Sequence, residues 1–216
     1  GNSSRFTGLR FNFIDSDVDV INGINVTVWY PKDFNQHTGT FNGVGIGLPL
    51  AGGTANRHGV SVGILGVAAG KNLAGLNIGG LAVGAGGKVS GLNLGGIAVG
   101  AGRDVTGINL GGLAIGSGER VRGLNIGGLA VGAGGDISGF SFGGLAVGSG
   151  GNIKGINSSV LVVGSGKSIT GLTVAGLVIG AGESVRGINL GGLVIAGGES
   201  ITGLNLAGIA VAGPEI

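Results

Sequence analysis

From residue 59 to the end of the chain, apolar residues recur in a phrase that repeats every sixteen residues. In one clear copy the apolar slots are Val105, Ile108, Leu110, Leu113 and Ile115, and the residues between them are glycine or polar apart from Ala114. Slots two residues apart lie on one side of an extended strand, whereas an interval of three changes side unless the chain bends. Gly107, Gly111-Gly112 and Gly116-Ser117-Gly118 supply bends at those intervals. No 3.6-residue helical period fits the slots. The pattern predicts an all-β chain folded as a single parallel β-solenoid, sixteen residues per regular coil with two short strands in each. Every strand would stack on its counterpart one coil away, at a spacing of about 4.8 Å. The alternative is an antiparallel meander or small barrel with Gly111-Gly112 as a hairpin turn. A lipid-facing barrel needs strands of about 9–11 residues and aromatic girdles, and the repeats contain neither Trp nor Tyr.

The register does not slip. A glycine opens the first strand of each copy at Gly59, Gly75, Gly91, Gly107, Gly123, Gly139, Gly155, Gly171, Gly187 and Gly203. In a stack each slot becomes a row of like residues. Two rows expected in the core run through Leu76, Ile108 and Leu204 and through Leu81, Leu113 and Ile209. Phe142 next to Ser158 in a third row reads as a volume exchange between neighbouring core positions. The asparagines Asn77, Asn93, Asn109, Asn125, Asn157, Asn189 and Asn205 fall between inward slots. They are expected to face outward, or into a groove at the sheet edge where amides bond along the stack. The small residues Ala82, Ala98, Ala114, Ala130, Ala146, Val162, Val178, Val194 and Ala210 form a second outward row, an apolar strip suited to lateral contact.

Residues 1–58 read as irregular N-terminal coils continuous with the regular solenoid of 59–216. Gly8-Leu9-Arg10-Phe11, Gly23-Ile24-Asn25-Val26 and Gly43-Val44-Gly45-Ile46 repeat the opening phrase, which makes about 13 coils and a rod of roughly 60 Å. Connections are longer here, over 30–40 and 51–57, and the segment holds five of the seven Phe, the single Trp and the single Tyr. Protruding loops at this end make Trp29, Tyr30, Phe34, His37, Arg57 and His58 candidates for binding a surface ligand.

Composition narrows the function. Glycine supplies 56 of 216 residues, on the sixteen-residue period rather than every third position, which excludes collagen. Charged residues are 10% of the chain and the net charge is only +2. Arg103, Lys167 and Arg186 alternate along the chain with Asp104, Glu119, Glu183 and Glu199, so no basic stripe for nucleic acid is expected. There is no cysteine and no methionine, hence no disulfide framework or thiolate metal site. A chain opening on Gly1 rather than Met is expected to have lost a secretion signal, and the missing sulfur residues suit an extracellular or cell-surface setting.

Candidate chemistry is sparse. Asp15, Asp17 and Asp19 have the opening spacing of a calcium loop but lack its glycine and distant Glu. Gly164-Ser165-Gly166-Lys167-Ser168 resembles the end of a phosphate-binding loop, yet position 161 is Leu where that motif needs glycine. No Ser/His/Asp or paired-carboxylate arrangement can be assembled in the regular coils. Neither catalysis nor a cofactor is expected, and no stretch reads as a membrane-spanning helix.

The phrases Gly-Leu-Asn-Ile-Gly-Gly-Leu-Ala-Val (75–83) and Asn22-Gly23-Ile24-Asn25-Val26-Thr27-Val28-Trp29 resemble bacterial glycine-rich surface-repeat proteins along essentially the whole chain. That resemblance implies a secreted or surface location. The expected function is structural: a homopolymer that stacks head to tail into extracellular filaments. Phe6, Leu9, Phe11 and Phe13 would lie at one junction surface and Leu204, Leu206, Ile209 and Val211 at the other. The alternative is a surface binding module, either an adhesin using the N-terminal loops or an ice binder using a flat face.

Overall fold

The computed structural model describes residues 4–14, 19–29 and 38–216, and these contain strands and turns without a helix. The chain is a parallel β-solenoid of about twelve coils with sixteen-residue spacing and two strands per regular coil. It divides into two compact units, Gly1–Gly111 and Gly112–Ile216. In the first, the strands Arg5–Asn12, Val20–Thr27, Thr40–Gly47, Asn56–Gly63, Asn72–Gly79, Lys88–Gly95 and Asp104–Gly111 stack in one sheet. Short strands from Leu50–Ala51 to Ala98–Ala101 form the other. The second unit repeats the plan, with long strands from Arg120–Gly127 to Ser200–Ala207 and short ones from Ala114–Ser117 to Ala210–Ala212.

Pairing is parallel and in register throughout each unit. Val105 lies opposite Val89 and Asn109 opposite Asn93; Val121 lies opposite Ile137 and Leu124 opposite Phe140. The irregular coils obey the same register, with Gly8 opposite Gly23 and Gly43 opposite Gly59. Turn backbone is tied along the stack as well, for example Leu129 N to Leu113 O at 2.7 Å and Gly135 N to Glu119 O at 2.7 Å.

The core differs from the one the slot pattern predicts. The first strand of a regular coil does not break at its glycine; it runs through Gly107 as one eight-residue strand, Asp104–Gly111. Past the glycine the strand keeps Val105's side for Asn109 and Gly111, which are buried, while Gly107 and Ile108 are exposed. Of the five apolar slots only the first and last point inward, as Val105 and Ile115 do at 0% and 1% exposure. The rows through Leu76, Ile108 and Leu204 and through Leu81, Leu113 and Ile209 are outside, with Ile108 45% and Leu113 47% exposed. Phe142 and Ser158 are neighbours on the outer face, so their size difference is not a core exchange.

The interior is narrow at the turn between the two strands. A Cβ on Gly127 would fall on the carbonyl oxygen of Ala130, and one on Gly143 on that of Ala146. The end of the long strand and the start of the short one thus approach to backbone contact at this turn, and in the Gly112–Ile216 unit the space beside it is filled mainly by β-branched side chains. Val131, Ile137, Val147, Ile153, Val163 and Ile169 fill it, each at most 1% exposed. Burying such a side chain stabilises the fold by roughly 1.5–3 kcal/mol.

Glycine at the strand midpoint answers a different need. Gly139 has φ +104°, and a Cβ there would meet the Gly123 carbonyl of the preceding coil. Gly148, in the short strand Ala146–Ser149, has open space where its Cβ would stand. Gly139→Ala should cost about 3 kcal/mol or more through strain and overlap, whereas Gly148→Ala should be neutral or stabilising by about 0.5 kcal/mol. Urea unfolding of the two variants beside the parent checks this contrast.

Candidate assembly surfaces

The most regular polar feature lies inside the fold. Asn77, Asn93, Asn109, Asn125, Asn157 and Asn189 are fully buried at 0% exposure; of the two expected placements the outward one fails, and amides bonded along the stack are found, inside the fold rather than at a sheet edge. Their amides bond along the stack: Asn77 Nδ2 donates to Asn93 Oδ1 and Asn93 Nδ2 to Asn109 Oδ1, both at 2.8 Å. Asn189 Nδ2 donates to Asn205 Oδ1 at the same distance. A buried amide is costly unless paired, and a stack of identical coils pairs each with the next.

The row is broken in the second unit. Ser141 and Thr173 flank Asn157, and neither reaches it; both polar atoms of Asn157, Thr173 Oγ1 and Asn189 Oδ1 lack a hydrogen-bond partner. The slot changes again in the irregular coils, where Arg10, Asn25, Gly45 and Ser61 succeed one another.

Arg57 also lies elsewhere than expected. It is not a surface-loop residue; it occupies the core slot held by Phe41 and Leu73 in the adjacent coils and is 2% exposed. Its guanidinium stands over the Phe41 ring at 4.4 Å from the centroid and donates to Ser61 Oγ at 3.3 Å and to Gly52 O at 3.0 Å. Glycine at 45 makes the room, since a Cβ there would meet Arg57 Nη2. The connection that was expected to protrude is folded in, with Ala51, Thr54 and Ala55 buried. His58 is exposed on the strand Asn56–Gly63. Trp29 is exposed too and stacks on Phe13, ring centroids 6.0 Å apart and planes within 7°.

Tyr30, Phe34, His37, Asp15 and Asp17 lie outside the described residues; Asp19 is described, and its N–H donates to Ser4 O at 2.7 Å. Among the described residues, no three His, Asp or Glu side chains stand close enough together to hold a metal ion. No helix among them is long and apolar enough to cross a membrane. The Gly164–Ser168 segment forms a turn, in which Ser165 Oγ accepts from Lys167 N at 3.1 Å.

Three surfaces remain. The row Ala82, Ala98, Ala114, Ala130, Ala146, Val162, Val178, Val194 and Ala210 faces outward on the short-strand sheets, half-exposed or exposed. It runs beside the exposed leucines at 81, 113, 129, 145, 161, 177 and 193, so that face is wider and more apolar than the small residues alone suggest. The second surface is a pair of sheet edges. Arg5–Asn12 is the outermost long strand of the first unit, with Leu9 and Phe11 exposed and Phe6 half-buried. Ser200–Ala207 is outermost in the second, with Leu204, Leu206 and Ile209 exposed and Val211 half-buried. Beyond its edge the chain touches back only at Glu215, whose carbonyl accepts from Ile201 N at 2.8 Å. The third is the outer face of the long strands, whose leucines and isoleucines the slot pattern had assigned to the core. The missed signal was available: strict alternation through a glycine already separates Val105 and Asn109 from Ile108 and Leu110.

Apart from Asp104, the described acidic residues lie outside the strands. Asp136 accepts from the backbone N–H of Asn152 at 2.8 Å and from its side-chain amide at 3.0 Å. These bonds, with attraction from Lys154 and Lys167, hold its carboxyl below the ordinary carboxylate range. Lys88 Nζ lies 3.4 Å from Asp104 Oδ2 in the first unit.

Comparisons with protein-family models, with curated proteins and with solved structures give no match.

Asn93→Ala should strand Asn77 Nδ2 and Asn109 Oδ1 and cost about 2–4 kcal/mol, while Thr173→Asn should bridge Asn157 to Asn189 and stabilise by about 1–2 kcal/mol. Thermal and denaturant midpoints distinguish the two signs. Because Asp136 is depressed in the folded state, its contribution is present above the unfolded carboxylate range and is lost as pH falls through the folded value. The stability difference between the parent and Asp136→Asn should therefore be largest near neutral pH and vanish in strong acid, as pH-resolved melting curves would show.

Proposed function

We propose that this protein is a structural, non-enzymatic β-solenoid that polymerises by stacking head to tail into filaments outside the cell. The observation that carries this reading is the match between its two edge strands. Arg5–Asn12 and Ser200–Ala207 are both eight residues long, and each carries a positive-φ glycine at its fourth position, Gly8 and Gly203. Aligned on those glycines, a second copy would add its first strand to the last strand of the copy before it, in the register used between all neighbouring coils. Phe6 would follow Ile201 in the inner row, Leu9 would adjoin Leu204, and Phe11 would adjoin Leu206. Unpaired strand edges template such additions, and a heterologous contact that does not close propagates as a fibre.

Lateral association is the second element of the proposal. The short-strand face presents Ala, Val, Gly and Leu with no charged side chain among its strand residues. A flat, small-residue face of this kind packs closely against a like face, as stacked sheets do. An extracellular or cell-surface setting accords with the absence of Cys and Met. The adhesin form of the binding-module alternative has Trp29 and His58 as its exposed described residues, since Arg57 and residues 51–55 are buried, and its ice-binding form would use the flat short-strand face.

Charge substitutions test the junction register. A chain with Leu9→Lys, Phe11→Lys, Leu204→Lys and Leu206→Lys places like charges opposite one another at every junction and should form no fibres in electron micrographs. Keeping Lys at 9 and 11 but changing Leu204→Glu and Leu206→Glu should restore them at low salt. Fibres that form equally well from both variants, or a parent that stays monomeric by light scattering at high concentration, would sink the proposal.

A further inference from the structure

On the long-strand sheet of the Gly112–Ile216 unit, three outward rows run side by side. The row nearest the turn is Arg122, Ser138, Lys154, Thr170, Arg186 and Thr202, paired coil to coil in register. Every second coil therefore presents a cation, about 9.5 Å from the next, and no acidic residue occupies this row. Arg122, Lys154 and Arg186 are all exposed. The two rows beside it are apolar, led by Leu124, Phe140, Ile156, Leu172 and Ile188, each 36–48% exposed. Chain order conceals this segregation, because the acidic residues of the turns intervene between the cations in sequence.

We infer that this face binds the surface of an anionic lipid bilayer. The rows supply the two attractions such a surface rewards: apolar side chains that enter the headgroup boundary and cations that meet its negative potential. A sheet face suits the role, since its backbone N–H and C=O groups are already bonded along the stack and only side chains are desolvated. The acidic groups packed nearest are held in the turn. Asp136 is engaged by Asn152, and Glu183 accepts from Ser168 Oγ at 3.2 Å; Glu119 lies 3.9 Å from Arg120 Nη2, and Glu199 is exposed in the turn before Ser200. A second copy is the poorer occupant. Two such faces packed together would bring cations against leucines or against other cations, and an unpaired buried cation is costly. The uncharged short-strand face has no such obstacle, so lateral filament contacts and lipid contact use different surfaces.

The test is co-sedimentation of the full chain with phosphatidylcholine vesicles, with and without phosphatidylglycerol, at low and high salt and with a vesicle-free control. Binding should require phosphatidylglycerol and weaken with salt. Ser and Thr already stand at this position in alternate coils, so Arg122→Ser, Lys154→Thr and Arg186→Thr preserve the fold. Each should lower partitioning about fivefold, and the triple variant on the order of a hundredfold. Ile156→Thr with Leu172→Thr and Ile188→Thr should weaken binding to the same vesicles while leaving the salt dependence in place. No binding to phosphatidylglycerol vesicles, equal binding to neutral ones, or an undiminished triple-cation variant would overturn the inference. Equal capture by heparin, unaffected by the threonine variant, would overturn it in favour of a soluble polyanion. Vesicle-free pelleting abolished by the threonine variant would do so in favour of a second copy. Failure to form fibres would leave lipid binding standing, and failure to bind lipid would leave the junction proposal standing.

Discussion

Where the long strand of a coil ends in glycine, as at Gly127 and Gly143, it meets the start of the short strand at backbone contact, and the narrow interior beside that turn shapes the rest of the molecule. The slot that Gly127 and Gly143 occupy against the carbonyls of Ala130 and Ala146 takes only the small side chains Ser159 and Ala175 in the coils that follow. The remaining interior is one residue deep on each side. It holds a β-branched side chain from the first position of the long strand, an asparagine from its middle, and one aliphatic residue from the short strand. Little apolar area is buried per coil, so stability comes from the number of coils and from the backbone and side-chain bonds between them, as in other one-dimensional stacks.

A buried amide in most regular coils is tolerable because the next coil supplies its partner. The same dependence explains where the row fails. Asn157 between Ser141 and Thr173 has neighbours too short to reach, and its amide is left without a bond. The irregular coils near the N-terminus accept a different compromise. Phe41 and Arg57 fill the inner row, Gly45 and Ser61 shrink the asparagine slot, and the segment from Ala51 to Ala55 folds over the guanidinium to supply the Gly52 carbonyl. One large buried cation is accommodated by an aromatic face, a hydroxyl and a carbonyl, together with deletion of a side chain next door.

A thin core forces apolar residues outward, and this gives the protein surfaces of unlike character. The short strands present small uncharged residues flanked by leucine. In the Gly112–Ile216 unit, the long strands present leucine and isoleucine beside a row of cations at every second coil. Sheet edges at Arg5–Asn12 and Ser200–Ala207 carry matching glycines. Large exposed apolar faces are uncommon on isolated soluble proteins, and their separation by charge is what makes distinct partners for the two faces physically reasonable.

The sixteen-residue period, parallel stacking in register and the turn positions were all legible in the sequence, because each depends on spacing alone and ten glycines keep that spacing without a slip. The inward and outward assignment was not. Leu113 and Ile108 read as core by hydrophobicity, and Asn109 as surface by polarity, yet the structure reverses all three. Whether a strand bends at Gly107 or passes straight through it is a two-way choice that local composition leaves open, and it flips every side chain beyond the glycine. Stacking decides the choice, since the inward slot at Asn93 holds an amide bonded to its own copy in the coils on both sides, while Val105 and Ile115 fill the rest of the interior. For the same reason Arg57 could be read from sequence only as a loop cation; its place beneath Phe41 exists because Gly45, twelve residues earlier in the chain, vacates the space in the adjacent coil.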